Sequence, residues 1–294
     1  MLLVTGAGGL NGLAVVREFA RHQEPVRALV RDRAKATVFD AYPDVDLVEG
    51  DMLRPRTLGP ALESVDRVLM ISSASPQMAE TQCTFIDACR EAGVAHVIKF
   101  SGAESGIGFD PAKFRFTRMH EEVEHYLERS GLAWTHLRPS QFMQVYLREV
   151  PTMVAQSAMF LPAADITLSP VDVDDIAKIA FALLRGGGHE GKRYDITGPE
   201  ALTMTEIADR ISRAIGRTIR YVAVSPQDRR RALLGAGLPP ALVDALDEQA
   251  VERLKCPQSK VDLSAHQAFG VRPTTFAEFA SRHSAVFRGE RQMA

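Results

Sequence analysis

The stretch Met1-Leu2-Leu3-Val4-Thr5-Gly6-Ala7-Gly8-Gly9-Leu10-Asn11-Gly12 decides the fold. An apolar strand runs straight into a glycine-rich turn, followed by a helix with an apolar face at Leu13, Val16, Phe19 and Ala20. In a βαβ unit of this kind Gly6 makes the tight turn, Gly9 has no Cβ to obstruct a pyrophosphate, and Gly12 lets the helix pack closely on the strand. The unpaired N–H groups at the helix start then face the phosphates. Glycines also punctuate ordinary turns, so the pattern alone is weak, and its place between a strand and an amphipathic helix supplies the confirming context.

Working outward, short β-like runs recur at Leu2 to Thr5, Val26 to Arg31, Asp46 to Glu49, Arg67 to Ser72, His96 to Ser101 and Trp134 to Arg138. Helices are expected between them over residues 10–22, 33–41, 54–63, 78–92 and 113–130. This alternation predicts an α/β protein, a Rossmann-like, doubly wound parallel sheet covered by helices on both faces. Right-handed crossovers would gather Gly6, Arg31, Asp51, Ser72, Ser101 and Arg138 along one carboxyl edge. Beyond Pro139 the pattern loosens into an apolar, helix-like stretch from Phe142 to Met159. A clear helix then resumes from Val173 to Leu184, and a last strand is expected at Tyr194 to Thr197. The expected division is a dinucleotide-binding unit over 1–200, with an excursion near 140–170, and a smaller, mostly helical unit over 201–294 assembled over the carboxyl edge.

A chain of 294 residues, 46% hydrophobic, can bury a full core. Its 35 basic and 37 acidic residues leave a net charge of −2, so no global field draws it to nucleic acid or to an anionic membrane. Arg229-Arg230-Arg231 reads as a solvated helix face. Cys83, Cys89 and Cys256 form no CxxC pair and read as reduced, buried thiols. Met1 opens into the first strand and no apolar run approaches the roughly 20 residues of a membrane span, so a cytoplasmic location is expected. The oligomeric state, monomer or homodimer, stays open.

At the tip of the second strand, an NAD site places a carboxylate on the ribose, whereas a 2′-phosphate calls for arginine. Arg31 stands there, ahead of Asp32, Arg33 and Lys35, which predicts NADP(H) in preference to NAD(H). Asp51 either approaches the adenine amino group or caps the helix that follows. Ser72, Ser73 and Ser101 at strand ends either bond a ligand or close their strands. Ser101 lacks histidine and aspartate partners in suitable loops, which argues against a hydrolase triad.

Thr5 to Gly12, Val26-Arg-Ala-Leu-Val-Arg31, Gly50-Asp51, Ser101-Gly102, Glu124, Ser130 to Pro139, Val171-Asp-Val-Asp-Asp-Ile-Ala177 and Tyr194 to Pro199 together resemble the NmrA-like branch of the atypical short-chain dehydrogenases/reductases. The resemblance runs over nearly the whole chain. It implies an extended Rossmann domain binding NAD(P)(H), capped on the substrate side by the 201–294 unit, with cofactor contacts at Gly6, Gly9, Leu10, Asn11, Gly12, Arg31, Asp51, Met52, Ser72, Ser73, Ser101, His120, Pro139 and Phe142. The branch holds quinone and azo reductases, isoflavone and lignan reductases, and regulators that bind dinucleotide without catalysis. Two classes therefore stand side by side: an NADP(H)-dependent reductase of a small conjugated quinone, azo, enone or imine, and a dinucleotide sensor.

The departures from the branch bear on chemistry. The tyrosine and lysine of ordinary short-chain dehydrogenases fall at Phe116 and His120, and phenylalanine cannot transfer a proton. His120, with an unperturbed pKa of about 6.5, is the candidate acid; its alternative role is to hydrogen-bond the nicotinamide ribose. Ser101 is the second catalytic candidate, as a donor to an oxyanion. His120-Glu121-Glu122-Val123-Glu124 departs from the HExxH zinc motif, because Glu124 occupies the second histidine's place and His125 lies off that face, so no metal is expected. Glu124 is expected to partner a basic group on the nearby sheet edge or loop. Phe142 belongs either to a planar-acceptor wall or to the core.

Overall fold

The computed structural model describes residues 1–102, 109–163, 165–256 and 258–290. The strands before the last expected one are β1 (Leu2–Val4), β2 (Val26–Val30), β3 (Val45–Glu49), β4 (Arg67–Met70), β5 (His96–Phe100) and β6 (Ala133–Pro139). After them come β7 (Ala158–Leu161), β8 (Thr167–Leu168) and β9 (Lys192–Ile196). Seven of these form one sheet in the order β3-β2-β1-β4-β5-β6-β9, and every pairing in it is parallel. The helices up to β9 are α1 (Leu10–Arg21), α2 (Gly59–Leu62), α3 (Met78–Glu91), α4 (Arg115–Arg129), α5 (Val150–Gln156) and α6 (Val173–Arg185).

Side-chain alternation along the strands builds a separate core on each face of the sheet. Val4, Ala28, Leu69, Ile98 and Leu137 pack with α1 and α6, while Leu3, Leu29, Val68, Met70 and Val97 pack with α2, α3 and α4. Strand order reverses on either side of β1, so the crevice beyond β1 and β4 is the place where such sheets bind ligands. Thr5 ties the two strand ends: its hydroxyl donates to the Ile71 carbonyl at 2.6 Å and accepts from Ile71 N–H at 2.8 Å.

Three expected helices are broken up. Residues 33–41 form two 3₁₀ stretches, Arg33–Lys35 and Thr37–Ala41; only Ala36 and Phe39 are buried there, and that three-residue spacing suits a 3₁₀ turn. Over 54–63 the prolines Pro55 and Pro60 restart the chain, giving a 3₁₀ turn at Pro55–Thr57 and then α2. The Phe142 to Met159 stretch is a 3₁₀ segment (Met143–Glu149) followed by α5, which Ser157 ends in a left-handed conformation before β7.

The rest of the chain comprises β10 (Leu202–Thr203), α7 (Met204–Ile215), β11 (Arg220–Ala223), α8 (Pro226–Gly235), α9 (Pro240–Lys255), α10 (Ser264–Phe269), α11 (Phe276–Arg282) and α12 (Ser284–Phe287). Met143, Tyr146, Met153 and Met159 from the 140–170 excursion share a third core with Ile207, Ile211, Phe276, Phe279 and Phe287. β7 pairs with β11 and β8 with β10, so the excursion is woven into the later elements. The buried carboxylates of the Val171 to Ala177 motif fasten the two regions: Arg282 pairs with Asp172, and Thr274 N–H donates to Asp175 at 2.6 Å. None of the helices formed by the described residues is long and apolar enough to cross a membrane.

Candidate active site

The glycine turn has the geometry its sequence requires. Gly6 sits at φ +58°, and a Cβ there would lie 2.8 Å from the Ile71 carbonyl oxygen. A Cβ on Gly12 would lie 2.3 Å from Gly6 O, closer than any side chain tolerates, so this glycine is needed for the helix to cross the turn. Gly9 caps α1 in extended conformation without a side-chain hydrogen bond, and a Cβ there would meet only Gly6 O, at 3.3 Å. The helix start therefore keeps its N–H groups for an anion. Beside it Leu10 is half exposed, and Asn11 Oδ1 is buried with no partner among the described residues, an acceptor open to a donor from a bound molecule or water. These features fit a dinucleotide's phosphates and ribose.

At the β2 tip the exposed Arg31 makes no ion pair with any described residue. The carboxylate next to it is committed: Asp32 accepts from Ala34 N–H at 3.0 Å and pairs with Lys35 at 2.8 Å, and the Lys35 hydrogen bond, ahead of the other contacts, holds its pKa below the usual value. Asp51 accepts from Leu53 N–H at 3.0 Å and so closes a turn after β3 rather than capping the helical stretches that follow, whose N-cap residues are Arg54 and Leu58; Met52 is buried. Ser72 accepts from Gln82 at 2.8 Å, while Ser73 is exposed. Pro139 is buried at the end of β6. Phe142 is partly buried against the core, its ring tilted 6.2 Å from Phe100, so the core reading describes its contacts.

Beyond β5 a polar cluster is built into the layer between sheet and α4. Ser101 Oγ donates to Glu124 Oε1 at 2.5 Å, and Arg138 grips both oxygens of the same carboxylate, from Nε at 3.0 Å and from Nη2. Glu124 thus has the basic partner its sequence position suggested. Burial opposes its ionisation, but the hydrogen bond from Arg138, with His136 and Ser101, outweighs that and leaves its pKa below the usual carboxylate value. The Ser101 proton is given to Glu124, so in this arrangement the hydroxyl offers the crevice an acceptor rather than a donor.

His120 has a partner that sequence reasoning missed. Lys99, in the otherwise apolar β5 run His96-Val-Ile-Lys-Phe100, has no exposed surface, and its Nζ lies 3.0 Å from His120 Nδ1. Burial pushes the Lys99 ammonium down to about 7, partly offset by Glu124. Burial first, then Lys99 and Arg138, hold the partly exposed His120 well below its ordinary value, which corrects the expectation of an imidazole titrating near neutrality. A lysine within an apolar strand was the available signal.

The tyrosine position is apolar in its surroundings too: Phe116 stands edge-on to Phe114 at 5.7 Å, and Phe114 to Phe109 at 5.8 Å. Helix α9 closes over this aromatic row. Its Glu248 accepts from Arg115 Nε at 2.9 Å, and Arg253 lies over the Phe109 ring at 4.8 Å. His125 is exposed. Ligand atoms of Glu124, Glu128 and His136 fall within 4.8 Å of one another, but Arg138 and Arg193 already bond those two carboxylates. The Arg229 to Arg231 run is only partly a solvated face, because Arg229 reaches the buried Glu149 and the Phe160 carbonyl, and Arg230 pairs with Asp244. Among the cysteines only Cys89 is buried; Cys83 and Cys256 are half-buried, and all three are free.

A parallel doubly wound sheet with a bare glycine turn at its switch point defines a dinucleotide-binding α/β protein. The chain belongs to the NmrA-like family, whose model matches residues 1–280. It is 35% identical over 290 residues to the NAD(P)H azoreductase of Xenophilus azovorans, covering 98% of this chain and 99% of that one. It is 30% identical over 290 residues to the (4-alkanoyl-5-oxo-2,5-dihydrofuran-3-yl)methyl phosphate reductase of Streptomyces griseus, covering 99% and 100%. The structure of an Escherichia coli NADPH-dependent quinone oxidoreductase complexed with NADPH superposes with a TM-score of 0.85 at 29% identity, covering 96% of this chain and 99% of that one. Family and fold read from the sequence are borne out, and these end-to-end relatives place the chain among the oxidoreductases.

Proposed function

We propose that this chain is an NADP(H)-dependent reductase of a small conjugated acceptor, working without the usual tyrosine. The observation that carries the reading is His120, a partly exposed residue of α4 whose Nδ1 lies 3.0 Å from Lys99 Nζ, so that a charged Lys99 donates to Nδ1 and leaves the hydrogen on Nε2. When bound, the reduced nicotinamide supplies a hydride. The chain's own residues do the rest. Gly6, Gly9 and Gly12, with the N–H groups of Leu10 and Asn11, cradle the pyrophosphate; Arg31, which pairs with no carboxylate among the described residues, takes the 2′-phosphate. His120 supplies a proton to the reduced acceptor, and Ser101, Glu124 and Arg138 tie the end of β5 to α4 and β6. The 201–294 unit, led by α9 above Phe109, Phe114 and Phe116, forms a dry cap for a planar substrate.

The test is NADPH oxidation, followed by its near-ultraviolet absorbance, across quinones, azo dyes, enones and imines. Turnover that falls by roughly 10²–10⁴-fold in His120→Ala with little change in NADPH affinity supports the reading. Tight NADPH binding with no turnover on any acceptor refutes it and assigns the chain to the dinucleotide sensors.

A further inference from the structure

We infer that Lys99 and His120 form a proton relay, in which buried Lys99 recharges His120 through Nδ1 as Nε2 gives a proton to the acceptor. This rests on the reductase reading and adds to it a residue that neither the glycine turn nor the tyrosine and lysine positions single out.

Alternation along β5 turns Lys99 away from Ile98 and Phe100 and toward the layer of α3 and α4. There Nζ has two acceptors among the described residues: His120 Nδ1 at 3.0 Å and its neighbour's carbonyl, Phe100 O, at 3.3 Å. The titratable and charged groups facing it are His120 and Glu124 of α4, Arg138 and His136 of β6, and Cys83 of α3. Glu124 is engaged by Arg138 and Ser101, so no carboxylate among the described residues lies within ion-pair distance of Lys99. An ammonium with three hydrogens and two acceptors, wholly buried, holds its third proton weakly. Its depressed pKa, about 7, agrees with that geometry. His120, for its part, is partly exposed, whereas Lys99 is not.

The step balances. Hydride addition leaves an electron pair on the acceptor. The Nε2–H bond of His120 breaks and a bond from that hydrogen to the acceptor anion forms; at the same time a Lys99 N–H bond breaks and the hydrogen passes to Nδ1. The ring is neutral before and after, with its hydrogen moved from one nitrogen to the other, and the positive charge of Lys99 cancels the acceptor's negative charge. Neither imidazolate nor imidazolium is formed, which suits a ring whose protonated form burial and its neighbours disfavour. Water at the vacated crevice returns the proton along the same path in reverse.

Acceptors that differ in proton demand test this. An azo dye needs a proton on nitrogen as hydride arrives, a quinone leaves a stabilised phenolate, and a cationic triarylmethane dye is neutralised by hydride alone. Lys99→Met should lower azo turnover by at least about tenfold, quinone turnover less, and dye turnover least. Wild-type azo turnover should fall as pH rises through about 7, and the variant's should lose that dependence. A readout that needs no turnover is nitrogen and carbon NMR of the whole protein: Nε2 of His120 protonated, Nδ1 bare, and Lys99 titrating near 7. Equal losses on all three acceptors, a Lys99 titrating in the ordinary lysine range, or hydrogen on Nδ1 at low pH each overturn the relay. A wild type active on none of them refutes the reductase reading instead.

Discussion

Replacing Lys99 with methionine should stabilise the folded protein at acid pH even as it impairs turnover. Lys99 is wholly buried without a carboxylate partner among the described residues, and burial lowers its pKa from 10.5 to about 7 on folding. Between those values the unfolded chain holds a proton that the folded chain has released, so wild-type stability rises with pH across that window. The full difference corresponds to on the order of 5 kcal/mol, present as a penalty below about pH 7. From about pH 6 to about pH 9 the penalty shrinks by roughly 2.5–3 kcal/mol. Methionine fills a similar volume and loses two hydrogen bonds, together about 1–2 kcal/mol, so the variant should lead the wild type by roughly 3 kcal/mol at about pH 6. Urea unfolding of both proteins at the two pH values measures the change in that lead. A lead that stays constant within about 0.5 kcal/mol would show that Lys99 keeps the same charge in both states, and the argument from its burial would fail.

Three further outcomes are expected. Arg31→Ala should weaken NADPH binding by roughly 1.5–3 kcal/mol while sparing NADH, as calorimetry with both cofactors would show; equal losses for the two would remove the 2′-phosphate role. Gly9→Val should abolish dinucleotide binding yet leave the circular dichroism near wild type and lower the melting curve only slightly, because the extended backbone at Gly9 accepts valine and its Cβ meets only Gly6 O, at 3.3 Å; normal NADPH affinity would place the phosphate site elsewhere. Arg138→Met leaves Glu124 buried with Ser101 as its remaining donor among the described residues, at a cost of about 3–5 kcal/mol near neutral pH. That deficit should shrink as pH falls and Glu124 takes up a proton, and thermal unfolding that shows the same deficit at every pH would contradict it.

What could be read from the sequence was set by local rules. A strand, Gly6, Gly9 and Gly12, and an amphipathic helix follow one another within the reach of backbone sterics, and the alternation of apolar strands and helices predicts a parallel sheet however the side chains pack. Helix boundaries near Pro55, Pro60 and Ser157 were less legible, because 3₁₀ and α turns share the same apolar spacing over one turn. Glu124 was readable as needing a cation because its helix lies against the sheet. The cations themselves were a matter for tertiary structure. Lys99 meets His120 across 21 positions of sequence, and Arg229 meets Glu149 across 80. Neither separation corresponds to a helical or strand period, so only the docking of α4 on β5, and of α8 beside β7, brings those charges together. Burial then decides what they do: the same lysine on a solvent face would stay charged and inert, and between sheet and helix it becomes a group that can give up its proton near neutral pH.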